Sequence, residues 1–381
     1  MESKLQYLKL KDCCYFQEGY VNPSQSHPEY FDGAIKWIRA VDLNNANVYT
    51  TTRTLTEKGF KSAGKSALLF EPDTIVISKS GTIGRLGIIK DYMCGNRATI
   101  NIKPKDNINL IYLFYFLRSK QKTFEDLAVG SVQKNLYVSI LEGIDIAVPP
   151  LEMQEKIVSL IADIDKKIEL NNNINSNLEQ QAFSIYQSMF SFDNQPNGVL
   201  SDIANITMGQ SPSGDSLNEE SGTVFYQGRT DFGFRFPSVR LYTTEPKRMA
   251  VKNDVLLSVR APVGDINVAI EDCCIGRGLA AIHSKNNRQS FVYYTTKSLY
   301  RAFDMFNGEG TVFGSINKVA LNSMPIYIPE EKDIDIFEEL VSPMDKMILE
   351  NHKENVNLQI IRDGLLPKLM SGEIDLTDID I

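Results

Sequence analysis

Apolar residues recur along two stretches of the chain with alternating spacings of four and three. In the first they fall at Ile157, Ile161, Ile164, Ile168, Leu178, Ala182, Ile185 and Met189, with Asn171 and Asn175 holding two positions of the same series. Adding 180 to each number gives the second series: Phe337, Val341, Met344, Ile348, Asn351, Asn355, Leu358, Arg362, Leu365 and Leu369. A seam of this period sustained over several heptads predicts two long helices, over 151–190 and 331–375, that form a coiled coil. Both seams carry two amide layers at the same place. If the helices pack antiparallel, Asn171 should face Asn355 and Asn175 should face Asn351, each pair fixing the register. The alternative is that 171–173, three consecutive asparagines, marks a frayed or broken stretch, since Asn is a poor helix former.

Ahead of each seam the pattern changes to short β-rich runs bounded by Gly, Pro or polar turns. The first set is Ile75-Val76-Ile77, Gly87-Ile88-Ile89 and Ile144-Asp145-Ile146-Ala147-Val148, with a helix expected over 109–121. The second is Val255-Leu256-Leu257, residues 266–270 and Ile326-Tyr327-Ile328. Residues 72–102 align without a gap on 252–282, placing Gly84 on Gly264, Cys94 on Cys274 and Arg97 on Arg277. The same offset carries Gly130 to Gly310, Leu141 to Leu321 and Pro149 to Pro329. A register held over this length points to a duplication. The expected architecture is mixed α/β: two globular α/β domains (1–150 and 191–330) in pseudo-twofold tandem repeat, joined by two long helices (151–190 and 331–375) in an antiparallel coiled coil. An acidic tail, 376–381, follows. Gly364 and Pro367 are expected to weaken the second helix near its end.

Composition narrows the class. The 381 residues are 43% hydrophobic and 23% charged, which excludes collagen-like, disordered and small disulfide-framework chains. No apolar run approaches the length of a membrane span, and the first residues hold no signal-peptide core, so a soluble, cytoplasmic protein is expected. The five cysteines occur as Cys13-Cys14, Cys94 and Cys273-Cys274, a pattern unlike a disulfide scaffold or a zinc knuckle. The net charge of −8 is unevenly placed. Residues 1–150 carry 19 basic against 15 acidic side chains, 191–330 carry 13 against 14, and 331–381 carry 5 against 13. The globular domains are therefore near neutral or mildly basic, and their local clusters can neutralise phosphates.

Motifs for catalysis are missing. Residues 59–66, GFKSAGKS, match the phosphate-binding pattern GxxxxGK[ST], and a nucleotide-binding enzyme built on them is the alternative from another class. The pattern works when a buried strand delivers the loop and a helix follows. Here the preceding TTTRTLTEK is polar, and Pro72 follows too soon for a full helix, so a surface loop is expected. His27, His283 and His352 lie in three different segments and make no metal cluster. There is no GxSxG elbow, no HExxH, no amino-methyltransferase tetrapeptide and no nuclease core. The chain reads as non-catalytic. Residues 81–87, GTIGRLG, read as a turn between strands or as a loop that approaches nucleic acid, with Lys79, Ser80, Thr82 and Arg85 as donors. Their counterpart, SVRAPVGD at 258–265, differs at the variable positions, as two equivalent loops with different targets would.

The order of domain, long helix, domain, long helix resembles the specificity subunit of type I restriction–modification systems. Local matches carry the resemblance: Trp37-Ile38-Arg39 ahead of Asp42-Leu43, Gly81-Thr82-Ile83-Gly84 after an apolar strand, and Gly130-Ser131-Val132-Gln133. At the first helix start stands PPLEMQEKI (149–157), and near the end LLPKLMSGEI (365–374). The sequence departs from the family at Met153-Gln154, where an acidic-Gln pair is usual, and at 330–334, where most of the helix-start motif is lost. The resemblance implies two target recognition domains, each reading half of a split site in double-stranded DNA, and a spacer that measures the unread gap. It implies docking of two methyltransferase subunits, which bring S-adenosylmethionine, and of translocating nuclease subunits, which bring ATP and Mg. This chain itself would bind no cofactor and no metal. A specificity component of another bipartite methylation system and a purely structural coiled-coil scaffold are the competing readings.

Candidate DNA contacts in the first domain are Arg39, Lys79, Ser80, Thr82, Arg85, Gln133 and Lys134. In the second they are Gln210, Ser211, Arg229, Arg235, Arg240, Arg260 and Arg277. Arg pairs with guanine O6 and N7 and Gln with adenine, while Lys and Ser/Thr more often position phosphate.

Overall fold

The computed structural model describes residues 6–130, 134–190, 195–307 and 314–374. The chain forms two compact units, residues 1–170 with 354–381, and residues 171–353. The two long helices, Leu151–Met189 and Glu331–Ser371, each begin in one unit and end in the other. Each starts just after the prolines that close a globular domain.

In the first unit, one sheet runs in the order Cys14–Glu18, Thr99–Pro104, Thr74–Ser78, Leu86–Ile89 and Ala46–Val48. Every residue of Thr74–Ser78 and Leu86–Ile89 is buried, which is why these strands read as continuous apolar runs rather than alternating ones. Gly87 stands there because a Cβ would lie 2.7 Å from Val48 and 2.9 Å from Leu43. A second sheet joins Thr54–Leu55, Phe31–Ile38, Met93–Gly95 and Leu69–Phe70, and Gln6–Lys9 pairs with Asp145–Val148. The expected helix over 109–121 is Leu110–Ser119. The side chain of Asn109 caps it by accepting from the Ile111 and Tyr112 amides, at 2.9 and 3.1 Å.

The second unit repeats the first sheet with Ala204–Met208, Leu279–Ser284, Val255–Ser258 and Ile266–Val268. Its second sheet is larger: Leu217–Asn218, Leu241–Thr243, Thr223–Tyr226, Cys273–Ile275 and Met249–Ala250. Individual hydrogen bonds follow the 180-residue offset. Gly84 N–H donates to Ser78 O at 3.0 Å and Gly264 N–H to Ser258 O at 3.0 Å; Leu136 N–H reaches Lys79 O as Ile316 N–H reaches Val259 O. The strand expected over 326–328 is shorter, Pro325–Ile326, pairing with Gly198–Val199.

Within each unit the helix halves run antiparallel. In the first unit Asp165 meets Arg362 and Lys167 meets Glu354. In the second, Asn351 Nδ2 donates to Asn175 Oδ1 at 2.8 Å, the amide pair expected from the seam, and no break occurs at 171–173. Asn171 and Asn355, which belong to different units, are both buried. The first seam drifts along its length. Beyond Asn175 the buried positions are Glu179, Ala182, Tyr186 and Phe190, and Leu178, Ile185 and Met189 are only partly covered, because this half also packs on the second domain.

The second long helix continues through Gly364 and Pro367 to Ser371, within the span expected for it. Leu366, Leu369 and Met370 are buried in the first unit's core with Ile157 and Ile161. Burial of three such side chains, each worth about 1.5–3 kcal/mol, outweighs helix penalties of about 3 kcal/mol for Pro and about 1 for Gly. Residues 376–381, the acidic tail, lie outside the described residues. No helix among those described is long and apolar enough to cross a membrane.

Candidate nucleic-acid interface

In the first unit the buried strand Thr74–Ser78 delivers a turn whose frame is Ser78. Its hydroxyl donates to Thr82 O and accepts from Arg85 N–H at 3.0 Å, and Gly81 and Gly84 take φ of +78° and +80°. The bond from Leu136 N–H to Lys79 O, 2.8 Å, brings the following segment alongside. A cleft results, lined by Gly81, Thr82, Ile83, Arg85, Gln121, Glu125 and Lys134. Thr82, Arg85 and Lys134 are therefore brought together, with Ser80 half-buried on the same turn. Gln133 lies outside the described residues. Lys79 is tied up: its ammonium is 2.7 Å from Glu18 and mostly covered. Arg39 does not line this cleft; its guanidinium lies 5.2 Å over the Trp37 ring and its Nη2 donates to Thr52 Oγ1 at 2.5 Å.

The second unit builds the same turn with different side chains. Ser258 Oγ donates to Arg260 O and Pro262 O at 3.0 and 2.6 Å, and Gly264 has φ of +109°. Arg260 is exposed on it. Val259 N–H donates to Gly278 O at 2.9 Å, which sets exposed Arg277 beside the turn; the Arg277 amide in turn donates to Ser211 Oγ at 3.3 Å. Gln210 N–H reaches Ile275 O at 2.9 Å, and Arg229 pairs with Asp265 of the turn at 2.6 Å. Gln210, Ser211, Arg229, Arg260 and Arg277 thus share one edge of the unit. Arg240, about half exposed, is held at 3.0 Å by buried Asp231.

Arg235 is corrected. Its side chain is only 4% exposed, with Nη2 2.7 Å from Asp345, Nη1 3.1 Å from Tyr294 Oη and 3.4 Å from Glu179, and the guanidinium 3.7 Å over the Tyr293 ring. A cation so enclosed is an internal partner, out of reach of DNA.

Gln227 is a candidate that the residue pattern does not single out. Gly276 N–H donates to Tyr226 O at 2.8 Å and Gly278 N–H to Gln227 O at 3.2 Å, so exposed Gln227 stands against the Arg277 strand end. It occupies the place Arg39 holds in the first unit, where Asn96 N–H donates to Ile38 O at 3.1 Å. No sequence signal reveals this. The strand pairs Trp37–Cys94 and Phe225–Cys274 correspond, so the offset here is 188 instead of 180.

The GxxxxGKS match does not build a phosphate cradle. Gly59 lies within the short helix Glu57–Lys61, capped by Thr56, and Gly64–Ser66 is a single 3₁₀ turn leading to the strand Leu69–Phe70. All five cysteines are free and buried, and burial pushes the Cys14, Cys94 and Cys273 thiols up to about 12. Among the described residues no group of His, Cys, Asp or Glu is placed to hold a metal.

Two tandem mixed α/β domains, each ending in a long helix, define the class of protein. The model for the type I restriction modification DNA specificity domain matches residues 2–180 and again 197–358, and the chain belongs to this family. It is 30% identical over 329 residues to a Methanocaldococcus jannaschii chain assigned as the specificity subunit of a type I restriction enzyme, MjaX. That alignment covers 78% of this chain and 77% of the relative. The MjaIX specificity subunit of the same organism is 26% identical, over 95% and 91% of the two chains. The fold is that of the Mycoplasma genitalium type I S subunit, with a TM-score of 0.55 at 18% identity, covering 99% of this chain and 98% of that one.

Proposed function

We propose that this chain is the non-catalytic, DNA-reading subunit of a cytoplasmic type I restriction–modification complex, each unit reading one half of a bipartite target. One observation carries the reading: the same hydrogen-bonded turn is built twice, around Ser78 and Ser258, and presents Thr82 and Arg85 in one copy and Arg260 in the other. A shared frame with different donors suits two different half-sites. The long helices measure the gap between them and dock two methyltransferase subunits. S-adenosylmethionine, ATP and Mg belong to those subunits and to the translocating nuclease subunits. Arg39, Thr82, Arg85 and Lys134 read or position DNA in the first unit; Gln210, Ser211, Gln227, Arg229, Arg260 and Arg277 do so in the second.

The test is a genome-wide map of methylated adenines with the gene intact and deleted, in a host expressing the partner methyltransferase. A split motif that vanishes on deletion supports the reading. A continuous motif that vanishes keeps the DNA-reading role and removes the two-domain gap measurement. An unchanged map, with partner binding demonstrated, leaves the structural scaffold as the better account.

A further inference from the structure

The helix halves contact their own globular domain through a polar cluster that recurs in both units. In the first, Asp165 accepts from Tyr115 Oη at 2.9 Å, Arg118 Nη1 at 3.1 Å and Arg362 Nη1 at 2.6 Å. In the second, Asp345 accepts from Tyr294 Oη at 3.0 Å and Arg235 Nη2 at 2.7 Å. Asp165 and Asp345 are 180 residues apart; Tyr115 and Tyr294 lie at matching positions of the helices Leu110–Ser119 and Gln289–Ser298. The basic residue one turn on is also matched: Arg118 binds Asp165, and Lys297 lies 2.8 Å from Glu179, which also accepts from Tyr293 Oη at 2.7 Å. Two unlike sources supply the guanidinium that completes each cluster. Arg362 comes from the opposing long helix, whereas Arg235 comes from the second domain itself.

Such clusters are poor sources of net stability, because the loss of hydration of buried charges offsets much of their attraction, and apolar packing often does as well. What they add is direction. A carboxylate that accepts from a phenol and a guanidinium at once is satisfied in one geometry, and a small slide or rotation leaves a partly covered charge unpaired. Adding one base pair to the gap moves a half-site by about 3.4 Å and turns it by roughly 35°. Discriminating against that change requires each domain to be held rigidly on its helices.

We infer that Asp165 and Asp345 are positioning residues that lock each DNA-reading domain onto its pair of helix halves and thereby set how strictly the gap is measured. This rests on the specificity reading given above. The test uses the protein in complex with its methyltransferase subunits, on duplexes carrying the native half-sites with the native gap and with one base pair more or fewer. Asp165→Asn and Asp345→Asn should raise methylation of the altered gaps relative to the native gap by about tenfold, with base preference within the half-sites unchanged. A uniform fall at all gaps, or a ratio that stays at the wild-type value, overturns the inference. Tyr115→Phe with Tyr294→Phe removes only the two hydroxyls and keeps the packing, and the same ratio decides the matter if the Asn variants do not fold. Wild-type protein that methylates regardless of gap overturns the specificity reading itself, a result distinct from either of these.

Discussion

Among single residues, Arg235 and Arg260 show how much burial decides. Both are arginines in the second domain, and the residue type alone suits either for guanine contact. Arg260 is exposed on a turn, whereas Arg235 is enclosed by Glu179, Asp345 and two tyrosines. Arg260→Ala is expected to alter recognition of one half-site only, weakening discrimination at the base it reads by about 1–3 kcal/mol. Binding to duplexes with single-base changes in each half-site checks this; equal losses on both sides would count against the assignment. Arg235→Ala removes the partner of a buried carboxylate, and its expected effect is a loss of about 3–5 kcal/mol of stability. Chemical denaturation reads that loss, and a variant as stable as wild type would mean the cluster relaxes around the gap.

Individual elements reflect a contest between local propensity and packing. The seam period predicts both long helices, and the amide pair Asn175–Asn351 forms as the antiparallel register requires. A double-mutant cycle replacing each by Ala should give a coupling of about 1 kcal/mol; additivity within error would show that the pair sets no register. Gly364 and Pro367 illustrate the opposite case. Propensity alone weakens the helix there, yet Leu366, Leu369 and Met370 carry it on because the first unit's core receives them. The helix-start signature also finds its reason here. Gln154, fully buried, accepts from Asn109 N–H at 2.8 Å and donates to Asn107 O and Pro149 O, tying the helix to the domain it leaves. In the second copy Ile334 takes that place, and Glu338 holds the Phe291 amide at 2.7 Å.

At the scale of the whole molecule, acid sensitivity follows from charges shared between helix and domain. Burial pushes the Glu179 carboxyl up, but Lys297, Tyr293 and Arg235 together more than reverse this, and it titrates below the ordinary glutamate value. The folded chain then binds fewer protons there than the unfolded chain. The resulting stability is present above the unfolded value of about 4.3 and is lost as pH falls through the lower folded value. Glu179→Gln should flatten the decline of the urea midpoint between about pH 5 and pH 3; a slope unchanged from wild type would remove Glu179 from the acid response.

Periodicity and repetition are local properties of a chain, so the two helices, the duplication, the polar layers and the turn at each Ser78-type position could all be read from the residues in order. The family resemblance rested on the same short-range motifs. Tertiary structure alone decided which cations face inward, because Arg235 meets Glu179 and Asp345 across separations of 56 and 110 residues that leave no periodic trace. It decided that residues 354–374 belong with the first domain, through burial of Leu366 and its neighbours beside Ile157 and Ile161. It also revealed Gln227, where the repeats differ in loop length and a fixed offset no longer finds the equivalent place. Burial and long-range pairing depend on where distant segments meet, which only the folded chain determines.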